Sequence, residues 1–149
     1  MVKKEIVISN SEQETFFLGK AFAKSIQLGD NIGFYGDLGA GKTIFIKGIC
    51  KHFEVDDEVT SPTFNFLNIY EGRNIIDKLD IYHIDLYRIK NRAEAFDIGF
   101  FEWLNLTNAI KLIEWADRIE NLDSINFEIK IKYDLTEENK REIEIIRKD

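Results

Sequence analysis

The chain has 149 residues, of which 44% are apolar and 32% are charged, and it carries a net charge of −7. This length fits one domain, which we expect to span residues 1–149, with a core that needs no disulfide or metal staple. The negative net charge argues against a protein that binds nucleic acid by itself, because phosphate contacts require a basic surface. A single cysteine excludes an internal disulfide, and neither a bilayer-length apolar run nor a signal-peptide pattern occurs. We therefore expect a cytoplasmic protein that makes no membrane contact.

The first half of the chain is predicted to alternate strands and helices. Ser11 and Glu14 have the spacing of a capping box, which predicts the start of a helix that stops near Gly29. Apolar runs and helical spacing then predict strands at Glu5–Ile8 and Ile32–Tyr35 and a second helix at Ile44–Phe53.

The second half is predicted to consist mainly of strands. Phe64–Tyr70 and Ile75–Ile84 have the pattern of a hairpin whose turn is Glu71–Asn74. A helix is expected at Arg92–Leu104, with Gly99 interrupting its apolar spacing. The remaining predicted strands are the buried run Ala109–Ile113, the strictly alternating residues 125–133 and a hairpin partner at Glu142–Ile146.

The segment Gly36–Thr43 matches the phosphate-binding pattern G-x-x-x-x-G-K-[ST] at every fixed position. Its glycines let the backbone curl so that several N–H groups point at one anion, and the following helix adds its positive N-terminus. Lys42 can reach the β- and γ-phosphates of a nucleotide, and the Thr43 hydroxyl can ligate Mg²⁺. The predicted nucleotide contacts in this loop are Asp37, Leu38, Gly39, Ala40, Gly41, Lys42 and Thr43.

Two acids lie at the ends of predicted strands. In a parallel sheet, the ends of the strands form the edge that faces a phosphate-binding loop. Asp85 follows a strand whose apolar run is interrupted by His83, and Glu114 follows Ala109–Ile113. A nucleoside triphosphatase needs one carboxylate near the metal and one group that positions the attacking water. We expect Asp85 and Glu114 to fill these catalytic roles, and the residues alone do not assign which acid takes which role.

The other reactive side chains carry no comparable signal. His52 and His83 are the only histidines, and neither has a partner at metal-ligand spacing. We expect His52 on a helix surface, Cys50 packed in the interior, and Trp115 in the core. The charged stretch Glu137–Arg141 is expected to be a solvated turn.

Four further segments follow the phosphate loop in an order that resembles the bacterial TsaE (YjeE) family. The loop alone is generic, but these segments in so short a chain are much more specific, and the resemblance runs from about Ser11 to Arg118. They are Ser61-Pro62-Thr63-Phe64, His83-Ile84-Asp85-Leu86-Tyr87-Arg88, Asp97-Ile98-Gly99 and Glu114-Trp115-Ala116-Asp117-Arg118.

The resemblance implies an α/β P-loop nucleoside triphosphatase fold, with a mixed parallel and antiparallel sheet flanked by helices. It implies an ATPase that uses ATP and Mg²⁺ to support formation of threonylcarbamoyladenosine (t6A) in tRNA. Its partners would be the transfer proteins TsaD and TsaB, and it would reach tRNA only indirectly. By the same resemblance Thr43 and Glu114 hold Mg²⁺, Asp85 acts near the γ-phosphate, Gln13 lies near the adenine, and Ser61–Thr63 is a nucleotide-responsive switch.

Three other classes of nucleotide-binding protein are alternatives to an ATPase. A GTPase would need Asn-Lys-x-Asp, and the nearest approach, Asn139–Glu142, ends in Glu. A small-molecule kinase would need an arginine-bearing lid, whereas the arginines after the loop are scattered. A subunit whose bound ATP acts as a structural switch without hydrolysis is compatible with the sequence.

Overall fold

The computed structural model describes residues 2–37 and 39–148. Its strands are β1 Lys3–Ser9, β2 Asn31–Tyr35, β3 Leu67–Arg73, β4 Lys78–Asp85, β5 Ala109–Glu114, β6 Phe127–Tyr133 and β7 Arg141–Arg147. Its α-helices are α1 Glu12–Phe22, α2 Lys42–His52, α3 Arg92–Asp97 and α4 Phe100–Leu104, and short 3-10 helices lie at Ala23–Ser25 and Ala116–Arg118.

The strands form one mixed sheet in the order β1-β7-β6-β2-β5-β4-β3. The central strands β6, β2, β5 and β4 are parallel to their neighbours in that group. At the two sides of the sheet, β3 is antiparallel to β4, and β7 is antiparallel to both β6 and β1. This arrangement confirms the predicted α/β fold with a mixed sheet flanked by helices, and it gathers the carboxyl ends of the parallel strands at one edge.

Helices cover both faces of the sheet and bury two apolar clusters. The cluster under α1 and α2 includes Phe22, Phe34, Phe45, Ile49 and Ile129. The cluster under α3 and α4 includes Ile84, Phe100, Leu104, Ile113 and Ile119. Strand β5 is buried at every position because Leu112 faces the first cluster and Ile113 the second. That burial confirms the prediction of a buried strand from a nearly continuous apolar run.

The helix that follows the phosphate loop packs unusually closely on α1. A Cβ added at Gly48 would lie 2.0 Å from the Phe16 carbonyl oxygen, and one added at Gly19 would lie 2.1 Å from the Phe45 carbonyl oxygen. No side chain fits at such distances, so glycine at both positions permits the contact between the helix backbones. The contact fixes the position of α2, and therefore of the loop that precedes it.

Local signals predicted the start of α1 correctly, but they missed its end and the break at Gly99. The Ser11 hydroxyl accepts a hydrogen bond from the Glu14 backbone N–H at 3.0 Å, which confirms the predicted start of α1. The helix ends at Phe22, before the expected stop at Gly29. The single helix expected at Arg92–Leu104 is two helices, because Gly99 adopts a φ of 92° and ends the regular spacing.

The hairpin predicted from residue 64 to residue 84 exists, but its boundaries were wrong. Strand β3 begins at Leu67, and β4 begins at Lys78. The turn is centred later than expected, since the Asn74 N–H donates to the Asp77 carbonyl and Ile75 lies in the turn, fully exposed. The predicted C-terminal hairpin is confirmed as the antiparallel pair β6–β7.

Candidate functional site

The phosphate loop connects β2 to α2 at the carboxyl edge of the sheet. Gly41 caps α2 with a φ of 113°, a left-handed conformation that favours glycine. A Cβ at Gly36 would lie 2.5 Å from the Ile131 carbonyl oxygen, so a side chain at this position would collide with β6. Leu38, one of the predicted contacts, lies outside the described residues. The described part of the loop thus has the sharp turn into a helix N-terminus that anion binding requires.

Lys42 is held inside the loop and is only 5% exposed. Its Nζ donates to the carbonyl oxygens of Gly36 and, at 3.0 Å, of Asp37, and it lies 4.0 Å from the centre of the Trp115 ring. Burial lowers the pKa of Lys42, while the nearby carboxylates of Glu114 and Asp85 act in the opposite direction. A cation surrounded by carbonyl oxygens and carboxylates is well placed to exchange these contacts for phosphate oxygens.

Asp85 and Glu114 meet at the ends of two adjacent parallel strands. They are register partners in the β4–β5 pair, and they are 2% and 3% exposed. The Ser61 hydroxyl lies between them, with its Oγ 2.6 Å from Asp85 Oδ2 and 3.1 Å from Glu114 Oε2. Thr43 Oγ1 donates to Glu114 Oε1 at 3.3 Å. The two predicted acids therefore lie in one cluster with the Thr43 hydroxyl, which the sequence predicted to ligate Mg²⁺.

Further hydrogen bonds fix the Asp85 carboxylate. Its Oδ2 also accepts from the Thr63 hydroxyl at 3.3 Å, and its Oδ1 accepts from the Tyr87 backbone N–H at 2.8 Å. Ser61 and Thr63 belong to the segment around Pro62 that the sequence singled out as a possible switch. These contacts link that segment directly to the acid expected near the γ-phosphate.

A buried histidine stands behind Glu114, and sequence reasoning gave it no role. His83 is fully buried, its Nε2 lies 2.7 Å from Glu114 Oε2, and its Nδ1 lies 2.9 Å from the Tyr70 hydroxyl. The Tyr70 hydroxyl donates to the Thr60 carbonyl at 3.1 Å. The signal that could have found this contact was the polar residue at position 83 in line with the apolar residues Leu79 and Ile81, because a buried polar group needs a partner.

A cleft of about 390 Å³ opens in front of the loop and the two acids. Its lining includes Lys42, Thr43, Asp85, Glu114, Ser61, Thr63, Tyr87 and Trp115. It also includes Ser11, Glu12 and Thr15 near the start of α1, Asn139 before β7, and Arg141 at the start of β7. The cleft therefore contains the predicted cluster and continues toward two elements at opposite ends of the chain.

Arg141 lines the cleft, although the segment Glu137–Arg141 was expected to be a solvated turn. Its Nε donates to the Ala40 carbonyl in the phosphate loop at 3.1 Å, and its guanidinium carbon lies 4.2 Å from the centre of the Tyr133 ring. The solvated-turn interpretation is therefore wrong for this residue. Sequence pattern could not reveal the contact, because 101 positions separate the two partners.

The remaining predicted contacts lie around the same cleft. Gly39, Ala40 and Gly41 line it, and the Asp37 carbonyl binds the Lys42 ammonium. The Gln13 side chain is exposed in the first turn of α1, next to the cleft-lining Glu12. Among residues 2–37 and 39–148, the cleft lining includes neither Gln13 nor Asp37, so an adenine contact by Gln13 stays a prediction.

The oxygen donors of the cluster suit a Mg²⁺ ion that arrives with a nucleotide. Mg²⁺ prefers hard oxygen ligands and is commonly bound through one or two carboxylates together with substrate phosphates. Thr43 and Glu114 supply a hydroxyl and a carboxylate in direct contact, and Ser61 Oγ links Glu114 to the second carboxylate, that of Asp85. Within the described residues, no group of three or more His, Cys, Asp or Glu side chains could hold a metal ion by itself.

The fold and the loop together define a class, which is an α/β protein of the P-loop type. Within that class the chain belongs to the TsaE family. The model of that family, described as "Threonylcarbamoyl adenosine biosynthesis protein TsaE", matches residues 9–143. The match confirms the resemblance found in the sequence and shows that the family is one involved in t6A biosynthesis.

Curated relatives and a solved structure agree with this assignment. The "tRNA threonylcarbamoyladenosine biosynthesis protein TsaE" of Rickettsia felis is 41% identical over 142 residues, covering 95% of this chain and 79% of that protein. The protein of the same name from Aquifex aeolicus is 35% identical over 147 residues, covering 97% of each chain. The crystal structure of Bacillus subtilis YdiB has a TM-score of 0.76 and 27% identity, covering 99% of this chain and 87% of that one.

Proposed function

We propose that this protein binds ATP with Mg²⁺ at the phosphate loop and hydrolyses the ATP in support of t6A formation in tRNA. The observation that carries the proposal is one cluster beside the Lys42 loop, in which Ser61 Oγ bridges Asp85 and Glu114 and the Thr43 hydroxyl donates to Glu114. Phosphoryl transfer is catalysed mainly by positioning and by electrostatic stabilisation, and this cluster offers groups for both.

Each residue of the cluster has a distinct role in the proposal. Lys42 leaves its two carbonyl partners and neutralises charge on the β- and γ-phosphates. Thr43 and Glu114 would hold Mg²⁺, which would supply positive charge to stabilise the charge that develops on the phosphate oxygens. Asp85 orients the attacking water near the γ-phosphate. This role requires that the Ser61 and Thr63 hydroxyls give up part of their hydrogen bonding to Asp85 Oδ2.

The proposal favours ATP over GTP. The chain has no Asn-Lys-x-Asp segment, which would supply the carboxylate that reads guanine. The cleft lining also includes Ser11, Glu12, Thr15, Asn139 and Arg141, and in this proposal these residues contact the ribose and base. Hydroxyl, amide and guanidinium groups there supply hydrogen bonds that a nucleoside accepts or donates.

The proposed partners are the threonylcarbamoyl-transfer proteins, TsaD and TsaB in this family. An acidic chain with a net charge of −7 is poorly suited to hold tRNA by itself, so its effect on tRNA is exerted through those proteins. Because tRNA is modified in the cytoplasm, we place the protein's action there. No helix among the described residues has the length and apolar character needed to cross a membrane.

A nucleotide switch that does not hydrolyse ATP is a second candidate. The observation that favours it is the position of Ser61, whose hydroxyl engages both acids at once. Entry of a metal ion and a γ-phosphate would displace that hydroxyl and shift the Thr60–Thr63 segment, as nucleotides do to switch loops. Such a shift controls partner binding whether or not the ATP is cleaved.

Phosphate release, measured with and without TsaD and TsaB, separates the two candidates. We expect slow release by the wild type and loss by several powers of ten in Asp85→Ala and Glu114→Ala. Asp80→Ala, which removes an exposed acid from the same strand as Asp85, is the matched control and should keep wild-type release. ATP binding without any release, even with both partners present, would contradict hydrolysis and leave the switch as the function.

A further inference from the structure

The pair His83 and Tyr70 lies directly behind the acid that is proposed to hold Mg²⁺. His83 is 0% exposed on β4 and Tyr70 is 3% exposed on β3. Burying two polar side chains carries a large penalty unless both are hydrogen-bonded. Here both are bonded to each other, and the imidazole is also bonded to the Glu114 carboxylate at 2.7 Å.

The hydrogen bonds divide the two oxygens of Glu114 between different kinds of partner. Oε1 accepts from Thr43, which stands at the N-terminus of α2 and faces the cleft. Oε2 accepts from His83 in the sheet and from Ser61 in the loop that lines the cleft. An ionised carboxylate only accepts hydrogen bonds, so an ionised Glu114 accepts this bond from His83 Nε2. The sheet therefore fixes Oε2 and leaves Oε1 turned toward the helix N-terminus.

The Tyr70–His83 pair is also hydrogen-bonded to the segment that contains Ser61. The Tyr70 hydroxyl lies 2.9 Å from His83 Nδ1 and 3.1 Å from the carbonyl of Thr60, the residue before Ser61. One chain of hydrogen bonds thus joins Thr60, Tyr70, His83 and Glu114.

We propose that His83, supported by Tyr70, is a positioning residue that orients the Glu114 carboxylate toward the Mg²⁺ of the bound nucleotide. This inference rests on the proposed function and adds to it. It explains why a polar residue at position 83 follows Leu79 and Ile81 on the buried face of β4. Groups that orient a metal-binding side chain in this way change metal affinity by about 10- to 100-fold when they are removed.

The quantity that tests the proposal is the factor by which Mg²⁺ tightens ATP binding. It is the ratio of the Kd for ATP in excess EDTA to the Kd in saturating Mg²⁺, and it requires no hydrolysis. A merely structural role would change the thermal unfolding temperature but not this ratio. We expect His83→Ala to reduce the ratio about 10- to 100-fold. We expect Tyr70→Phe, which keeps the ring and removes the hydroxyl, to reduce it roughly five-fold.

Rescue by a conservative variant and two matched controls complete the design. His83→Gln keeps an N–H donor facing Glu114, so the ratio should stay within about three-fold of the wild type. His52→Ala changes the other histidine, at the end of α2, and Tyr82→Phe changes a neighbouring tyrosine on β4. Both controls should leave the ratio unchanged.

The possible results distinguish failure of this inference from failure of the proposed function. If Mg²⁺ does not tighten ATP binding to the wild type, the proposed function is overturned and this inference falls with it. If the wild type responds to Mg²⁺ and folded His83→Ala responds equally, only the positioning role is overturned. If His83→Ala does not fold, Tyr70→Phe decides, and an unchanged ratio in that variant overturns the proposal.

Discussion

Replacing Glu114 with Gln removes one negative charge and nearly preserves the shape of the side chain, and we expect opposite effects on ATP binding with and without Mg²⁺. In Mg²⁺, the variant should bind ATP more weakly, because a carboxylate ligand is replaced by a poorer amide ligand. Without metal, it should bind ATP more tightly, because a buried acid beside the phosphate loop no longer repels the phosphates. A change of sign between two conditions cannot come from a general loss of structure.

The size of the metal-free effect follows from the geometry. Thr43 Oγ1 lies 3.3 Å from Glu114 Oε1, so a phosphate held at the N-terminus of α2 would lie about 5 Å from this carboxylate. Two unit charges at that distance interact by about 3 kcal/mol at an effective dielectric constant of about 20. Screening by salt reduces this value. An affinity gain of about ten-fold, equivalent to about 1.4 kcal/mol, is therefore the expected result.

Equilibrium titration with a fluorescent ATP analogue in EDTA and in Mg²⁺ measures both effects. Glu102→Gln, at an exposed position on α4, is the matched control and should change neither affinity. If Glu114→Gln weakened binding by the same factor in both conditions, the acid would act only in holding the structure. The reasoning that places it beside the metal would then be refuted.

Three further predictions test the specificity and the packing. ATP should bind more tightly than GTP, and tighter binding of GTP in the same titration would contradict the account. Gly48→Ala should lower the free energy of unfolding by about 1–3 kcal/mol in urea titrations, because the new Cβ would lie 2.0 Å from the Phe16 carbonyl oxygen. A stabilised variant would refute the close contact between α1 and α2. Burial raises the pKa of Cys50 from 9.0 to about 12. Between these two pKa values the folded state binds more protons than the unfolded chain, so the free energy of unfolding falls as the pH rises from the lower value to the higher one. The free energy of unfolding should therefore fall by about 1 kcal/mol more in the wild type than in Cys50→Ala between about pH 8 and pH 10, and equal slopes would contradict the shift.

Patterns that depend on neighbouring residues were sufficient to predict much of this molecule. The loop Gly36–Thr43 is contiguous, and Asp85 and Glu114 each end an apolar run, so their convergence follows from the geometry of parallel strands. The alternation of residues 125–133 predicted β6, whose Phe127, Ile129 and Ile131 are buried. Each of these features depends on residues that lie close together in the sequence.

Features that depend on the order of strands could not be predicted in this way. Arg141 reaches the phosphate loop because β6 lies beside β2 and carries β7 with it, and β1 then pairs with β7 across nearly the whole chain. His83 reaches Glu114 because β4 lies beside β5. Hydrophobic periodicity identifies the buried face of a strand but not its neighbour, so these contacts required the three-dimensional structure.

The most direct test of the account is the binding of ATP to the wild type and to Lys42→Ala in the presence of Mg²⁺. The account predicts saturable binding of ATP by the wild type and a strong loss of affinity in the variant. The reason is that Lys42, held by two loop carbonyls and 5% exposed, supplies the main positive side chain for the phosphates. Both proteins should show the same circular dichroism spectrum. Wild-type affinity for ATP in folded Lys42→Ala would contradict the central claim that the loop Gly36–Thr43 binds the nucleotide.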